Sequence, residues 1–393
     1  MATTASSRPH LTAVLREESR VTPLELFFDL VYVLALTQCT ALMAADPTWH
    51  GLGQGVLVLG VMWWSWVGYA WLTSVVNPEE GSVRILMLAA MGAFLVVALC
   101  VPGAFDDEAL LFACAYGIVR YAQVGLLLVA GRDDPGLRHS ASGLAISTGI
   151  GVGLLVAASF LDGVPQGALW GLALALDMGG PLLIDSSGWR LEPGHFAERH
   201  GLIVIIALGE SIVAIGVGAE AGVDAGVVIA AVLGIVVAGA LWWLYFDIVA
   251  LVAERRLSHA TPGKMQNEIA RDSFSYLHFP MVAGIVLIAL GLKKTIEHVE
   301  DPLKLVPAAA LLGGAAIYLL AHVAFRWRNV HRFSYARLIA AAAIVAFLPA
   351  AIEIAALATL AILGAALVVL IVYETYKFAE LRDRLRHQLA ETS

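Results

Sequence analysis

From Leu24 to Tyr373 the sequence is a succession of apolar runs, each about as long as a bilayer's hydrocarbon core is thick, separated by short polar turns. A helix needs about 20 apolar residues to cross that core, and a helix satisfies its backbone internally where no water can. The runs fall near residues 24–43, 52–75, 83–101, 110–130, 142–161, 168–184, 201–219, 226–252, 274–292, 305–325, 336–350 and 353–375. The last two come from one stretch, Leu338 to Tyr373, too long for a single helix and broken at Pro349. The expected fold is therefore an all-α integral membrane protein of about 12 transmembrane helices.

Composition agrees. The apolar set makes up 60% of the chain and charged residues only 14%, against about 25% charged in an average soluble protein. So few charges cannot cover a water-facing surface, which excludes a soluble enzyme, a nucleic-acid binder and a disordered regulator. The bilayer is the expected partner, and the cell membrane the expected location. The net charge of −8 says little, because position outweighs sum in a membrane protein.

Lys and Arg set the orientation, since loops on the inner face are enriched in them. With the N-terminus inside, 20 of the 24 basic residues fall in inner segments, and only Lys293, Lys294 and Lys304 fall outside. Arg120 is left within a span. Both termini are thus expected in the cytoplasm. The stretch from Met1 to Leu24 is polar and lacks the apolar core of a signal peptide, so the first span is expected to belong to the mature chain. The expected organisation is a cytoplasmic tail at 1–23, a first six-helix half at 24–184, a cytoplasmic linker at 185–200, a second half at 201–375 and a cytoplasmic tail at 376–393. The basic stretch 253–273 reads as a solvated loop rather than an interfacial helix. Cys39, Cys100 and Cys114 lie in apolar runs without paired spacing and read as small buried apolar residues.

The two halves show an ordered correspondence. FFDLVYVLALTQ at 27–38 aligns with RHGLIVIIALGE at 199–210, Trp63-Trp64 with Trp242-Trp243, and Tyr116 and Arg120 with Tyr318 and His322. Repeats of six helices keep the same orientation, related by an axis along the membrane normal.

Ionisable side chains inside spans cost about 2.5–3.5 kcal/mol each at the helix centre on insertion scales, so those present should pair, face a cavity or carry function. Glu25 and Asp29 lie one turn apart on the first helix, sharing a face with Tyr32. The helix dipole favours a carboxylate at Glu25, whereas Asp29 is deeper and needs a polar path or a partner. Glu198, Arg199 and His200 stand at the mouth of the seventh span, and Glu210 lies about 15 Å further along it, flanked by Gly209 and Ser211. Arg120 is the obvious partner for Glu210 or for Asp177. His278 and His322 read as interfacial. The aromatic run Trp63, Trp64, Trp66, Tyr69 and Trp71 reads as helix packing or as a cavity wall. Gly149, Gly151 and Gly153 read as close helix contact. No catalytic, metal or cofactor motif accompanies these residues.

VTPLELFFDLVYVLALTQ at 21–38 and ERHGLIVIIALGESIVAIGVG at 198–218 resemble the signatures of the bacterial low temperature requirement protein A (LtrA) family, along essentially the whole chain. The resemblance implies an integral membrane protein of a family named for a cold-growth phenotype, and supplies no substrate or reaction. Its polar signature positions are Glu25, Asp29, Glu198, Arg199, His200, Glu210 and Ser211. The doubled plan is also similar to a class of two-repeat potassium channels, but those carry an Arg where this chain has Pro23. The leading expectation is an ion- or proton-coupled transporter or channel-like protein with a polar path along spans one and seven, Asp29 and Glu210 binding a small cation or proton. The alternatives are a membrane-embedded enzyme acting on a lipid-like substrate, with Asp177, Glu210 or His200 as acid or base, and a structural cold-adaptation protein whose buried charges tie helices together.

Overall fold

The computed structural model describes residues 20–79, 81–183, 188–220 and 222–379. The tails beyond these limits, with Arg8, Arg16, Arg382, Arg384 and Arg386, and the first residues of the expected linker lie outside the described residues. Among the described residues the fold is all-α, with one isolated bridge between Pro302 and Ala355.

The helices are α1 (Pro23–Ala45), α2 (Trp49–Val75), α3 (Gly81–Leu99), α4 (Ala109–Ala130), α5 (Pro135–Ala158), α6 (Gly163–Leu183), α7 (Pro193–Gly218) and α8 (Ala225–Phe246). They continue with α9 (Val249–Ser258), α10 (Lys264–Ile269), α11 (His278–Glu297), α12 (Leu305–Val330), α13 (Tyr335–Ala346), α14 (Leu348–Ala351) and α15 (Ala356–Lys377). Nine helical segments among the described residues are long and apolar enough to cross a membrane. Of the expected spans, α3, α6 and α13 are not among them: the apolar parts of α3 and α13 are short, and α6 is long enough but less apolar. The chain is a polytopic helical membrane protein.

Local chemistry places the helix ends. Thr22 caps α1 ahead of Pro23, and Glu25 reaches back to accept the Thr22 N–H at 2.8 Å, a reciprocal arrangement that satisfies amides the helix leaves free. Asp134 caps α5 by accepting from the N–H groups of Gly136 and Leu137, with Pro135 following. The long run breaks around Pro349 as expected. There the first amides of α15 borrow carbonyls from the loop before α12, Ala356 N–H donating to Asp301 O and Leu357 N–H to Val299 O.

Two elements differ from expectation. The stretch read as a loop at 253–273 is mostly helical: α9 and α10 occupy it, and a π-helical turn at Ala270–Tyr276 leads into α11. Its apolar residues Ala253, Leu257, Ile269 and Ala270 are buried, so one face of this basic stretch belongs to the core. α7 also begins at Pro193 rather than near 201, because its first polar turns are buried rather than solvated.

The chain divides into two compact units. Unit 1 comprises Met1–Ala35, Gly60–Arg199 and Ala260–Glu268, and within it α3 packs on α4, α4 on α5, and α5 on α6. Unit 2 comprises Leu36–Leu59, His200–His259 and Ile269–Ser393, and within it α11 packs on α12, α12 on α13, and α8 on α15. The α11–α12 contact depends on glycine: a Cβ on Gly284 would lie 2.6 Å from the Gly314 carbonyl oxygen, and one on Gly314 equally close to that of Gly284. Cys39 and Cys100 are buried, but Cys114 on α4 is exposed, which differs from the expectation that all three are buried.

Candidate functional site

The largest concentration of buried charge in unit 1 lies where the start of α1 meets the start of α7. Pro23 and the Thr22 cap fix the first turn of α1, so Glu25 and Asp29 project one above the other. On α7, His195 and Arg199 repeat the same four-residue spacing. All four side chains are fully buried. The Arg199 guanidinium donates to Asp29 Oδ1 at 2.6 Å, to Thr73 Oγ1 at 2.9 Å and, more loosely, to Glu25 Oε1 at 3.4 Å. Its plane lies 5.5 Å from the centre of the Trp66 ring, whose indole N–H also donates to Asp29 Oδ1 at 2.8 Å. His195 Nε2 lies 2.7 Å from Glu25 Oε1, and its Nδ1 lies 3.1 Å from Ser74 Oγ. The set is a ladder of hydroxyl, imidazole, carboxylate, guanidinium and carboxylate, with Asp29 Oδ2 and Arg199 Nε lacking hydrogen-bond partners among the described residues.

A second set in unit 1 ties α4, α5 and α6. Arg120 donates to Asp177 Oδ1 and to Thr148 Oγ1, both at 2.9 Å, and to Gln123 Oε1 at 2.8 Å. Tyr116 donates to the other Asp177 oxygen at 3.2 Å. Of the two acids open to Arg120 from the sequence, Asp177 is its partner. Gly151 lets α5 approach this pair, its Cβ position lying 3.2 Å from Asp177 Cβ, whereas Gly153 faces open space.

In unit 2, Glu210 is buried on α7 and accepts a 2.6 Å hydrogen bond from Thr37 on α1. Ser211 beside it is buried with no partner for its hydroxyl among the described residues, and Gly209 has no described atom close to its Cβ position. His200 is buried, with its ring 5.3 Å from that of Phe274 and 5.2 Å from that of His278. His278 and His322, expected at an interface, are both buried in unit 2. His278 Nδ1 faces the Ser273 carbonyl at 3.0 Å and must carry the proton, so Nε2 accepts from Tyr245 at 2.8 Å. The π-helical turn before α11 carries the Ser273 carbonyl that His278 meets.

Of the residues singled out in the sequence, Glu25, Asp29 and Arg199 come together, Arg120 and Asp177 form a separate pair, and Glu210 bonds Thr37. Glu198 is exposed, and its carboxylate accepts the Val21 N–H at 2.9 Å. Sequence reasoning missed His195, Ser74 and Thr73. Only His195 carried a signal, its four-residue spacing from Arg199. The aromatic run of α2 packs inward, with Trp63, Trp64, Trp66 and Tyr69 all buried, whereas Trp242 and Trp243 on α8 are exposed.

Comparison with known proteins follows the same lines. The chain is 29% identical over 306 residues to an uncharacterized protein of Rhizobium meliloti (strain 1021), a match covering 75% of this chain and 74% of that protein. No solved structure matches it. The profile of the bacterial low temperature requirement A protein (LtrA) matches residues 20–372. The chain belongs to the bacterial low temperature requirement A (LtrA) family.

Proposed function

We propose that this protein is a proton-coupled transporter or channel-like protein of the cell membrane, with a polar path that follows α1 and α7. The observation that carries this reading is the buried ladder Ser74–His195–Glu25–Arg199–Asp29. Two carboxylates face one guanidinium there, so with neutral His195 the set holds one uncompensated negative charge. A single proton held between Glu25 and His195, 2.7 Å apart, closes the balance. Coupled pairs of this kind gain and lose protons as a unit, and buried charge imbalance is costly enough to make the change matter. The same two helices supply Thr37 and Glu210 to unit 2, a second buried carboxylate with a hydroxyl partner. A proton suits these sites better than a metal cation, because Arg199 already supplies positive charge to both carboxylates and His195 faces Glu25.

The reading includes twelve crossings, with α3, α6 and α13 completing the nine, two six-helix halves at 24–184 and 201–375 in parallel orientation, and both termini in the cytoplasm. The Lys and Arg asymmetry and the ordered sequence correspondences support it. Its test is flux in liposomes loaded with a pH-sensitive dye. Asp29→Asn, Glu25→Gln and Glu210→Gln are each expected to lower proton flux by about tenfold or more, the scale set by removing one buried charge-assisted contact. Flux equal to wild type in all three, across a panel of ions, overturns the mechanism.

A second reading rests on the order hydroxyl, imidazole, carboxylate in Ser74, His195 and Glu25, which is also that of an activated nucleophile. It supports a membrane-embedded hydrolase acting on a lipid-like substrate. Covalent labelling of Ser74 by a fluorophosphonate is the result that favours it over transport.

A further inference from the structure

We propose that unit 2 holds a separate binding site for a small carboxylate with an apolar tail, in a cavity bounded by α9 and the ends of α12, α13 and α15. The cavity measures about 130 Å³. An apolar cavity of about 150 Å³ accommodates benzene, so this one matches a single ring or a short acyl chain. Its walls are mainly apolar, with Val249, Val252, Phe325 and Phe378 lining it.

The polar groups at the cavity decide the sign of the ligand. Arg337 and Glu374 neutralise each other through two contacts, Nε to Oε1 at 2.9 Å and Nη2 to Oε2 at 2.7 Å. Both Glu374 oxygens are therefore engaged, and none is offered to a cation. Arg326 also lines the cavity, with its guanidinium 5.3 Å from the centre of the Phe378 ring, and no acid lies within ion-pair distance of it among the described residues. It leaves one positive charge uncompensated at a partly buried position, where a planar carboxylate can meet the guanidinium in a fork.

His322 supplies the second observation. Its side chain is 1% exposed, it lines the same cavity, and among the described residues neither ring nitrogen has a hydrogen-bond partner. A buried imidazole with both donor and acceptor unmade is costly. A carboxylate seated against Arg326 gives its N–H an acceptor. An aliphatic tail fits the apolar wall, whereas an alcohol leaves Arg326 unpaired and an amine opposes it. The site shares no residue with the α1–α7 ladder and stands or falls independently of the transport reading.

The test uses the full chain in phosphatidylcholine nanodiscs, with binding of octanoate carrying a carbon-13 carboxyl label followed by NMR. Saturable binding of octanoate is expected, with octanol and octylammonium weaker by about tenfold or more. Arg326→Gln is expected to weaken octanoate by a similar factor, while the surface variant Arg256→Gln leaves it unchanged. Val252→Trp, which fills the cavity without touching the charge, is expected to abolish binding. The proposal is overturned if folded wild-type protein shows no saturable octanoate binding, or if octanol binds as well as octanoate. It is equally overturned if Arg326→Gln binds as wild type does, or if phosphatidylglycerol in the nanodisc displaces octanoate and thereby marks a lipid headgroup site.

Discussion

Arg199 is the residue on which the α1–α7 ladder turns, because one guanidinium serves both Asp29 and Glu25. Removing one partner from a buried ion pair strands the other without water or counter-charge, a loss of about 3–5 kcal/mol. Arg199→Gln is therefore expected to lower the melting temperature sharply in detergent, and Asp29→Asn less, since an asparagine oxygen still accepts the Trp66 indole N–H. Equal melting of Arg199→Gln and wild type would show that the guanidinium is not holding the charges. Glu25 and Asp29 were legible in the sequence as costly intramembrane acids, and so was Arg199 as part of a polar signature. That they meet was not legible. A four-residue spacing states which side chains share one helical face, but not which face of another helix lies opposite. The same limit left Arg120 with two acids to choose from, and hid Ser74 and Thr73, short hydroxyls that are ordinary anywhere in an apolar helix.

At the scale of single elements the sequence is most readable where a helix begins. Thr22-Pro23 and Asp134-Pro135 each place a capping side chain just before a residue that favours the first helical turn. Asp134 donates nothing and accepts from Gly136 and Leu137, and these backbone N–H bonds, with Arg190 alongside, hold its carboxyl below the usual carboxylate range. A carboxyl whose folded pKa is depressed stabilises above its unfolded value, about 3.9, and loses that contribution as pH falls towards the folded value. Hydrogen-exchange protection of the Gly136 and Leu137 amides is therefore expected to fall below about pH 4 in wild type. In Asp134→Asn, which cannot titrate, it should stay flat through the same window. Elements were least readable where charge and apolarity alternate irregularly. The basic stretch 253–273 carries enough polar residues to read as a loop, whereas the burial of Ala253, Leu257, Ile269 and Ala270 goes with its helical structure.

For the whole molecule, the proposed orientation rests on the placement of Lys and Arg rather than on any contact. If both termini are cytoplasmic and the crossings number twelve, then in a background with the native cysteines replaced by Ala, Glu300→Cys should react with an impermeant maleimide from outside the cell. Arg256→Cys should react only after permeabilisation. The reverse pattern, or labelling of both from one side, would break the proposed topology. The sequence by itself determined that this is a helical membrane protein, where most helices run and which acids lie within them, because the bilayer imposes one length, one polarity and one way to satisfy a backbone. Only the tertiary structure decided that Arg199 gathers Glu25 and Asp29, that Asp177 belongs to Arg120, and that His322 and Arg326 line one cavity. Lipid treats every apolar helix face nearly alike. Which faces meet is chosen by small residues such as Gly284 and Gly314 and by the few polar groups that must find one another, and that choice exists only in three dimensions.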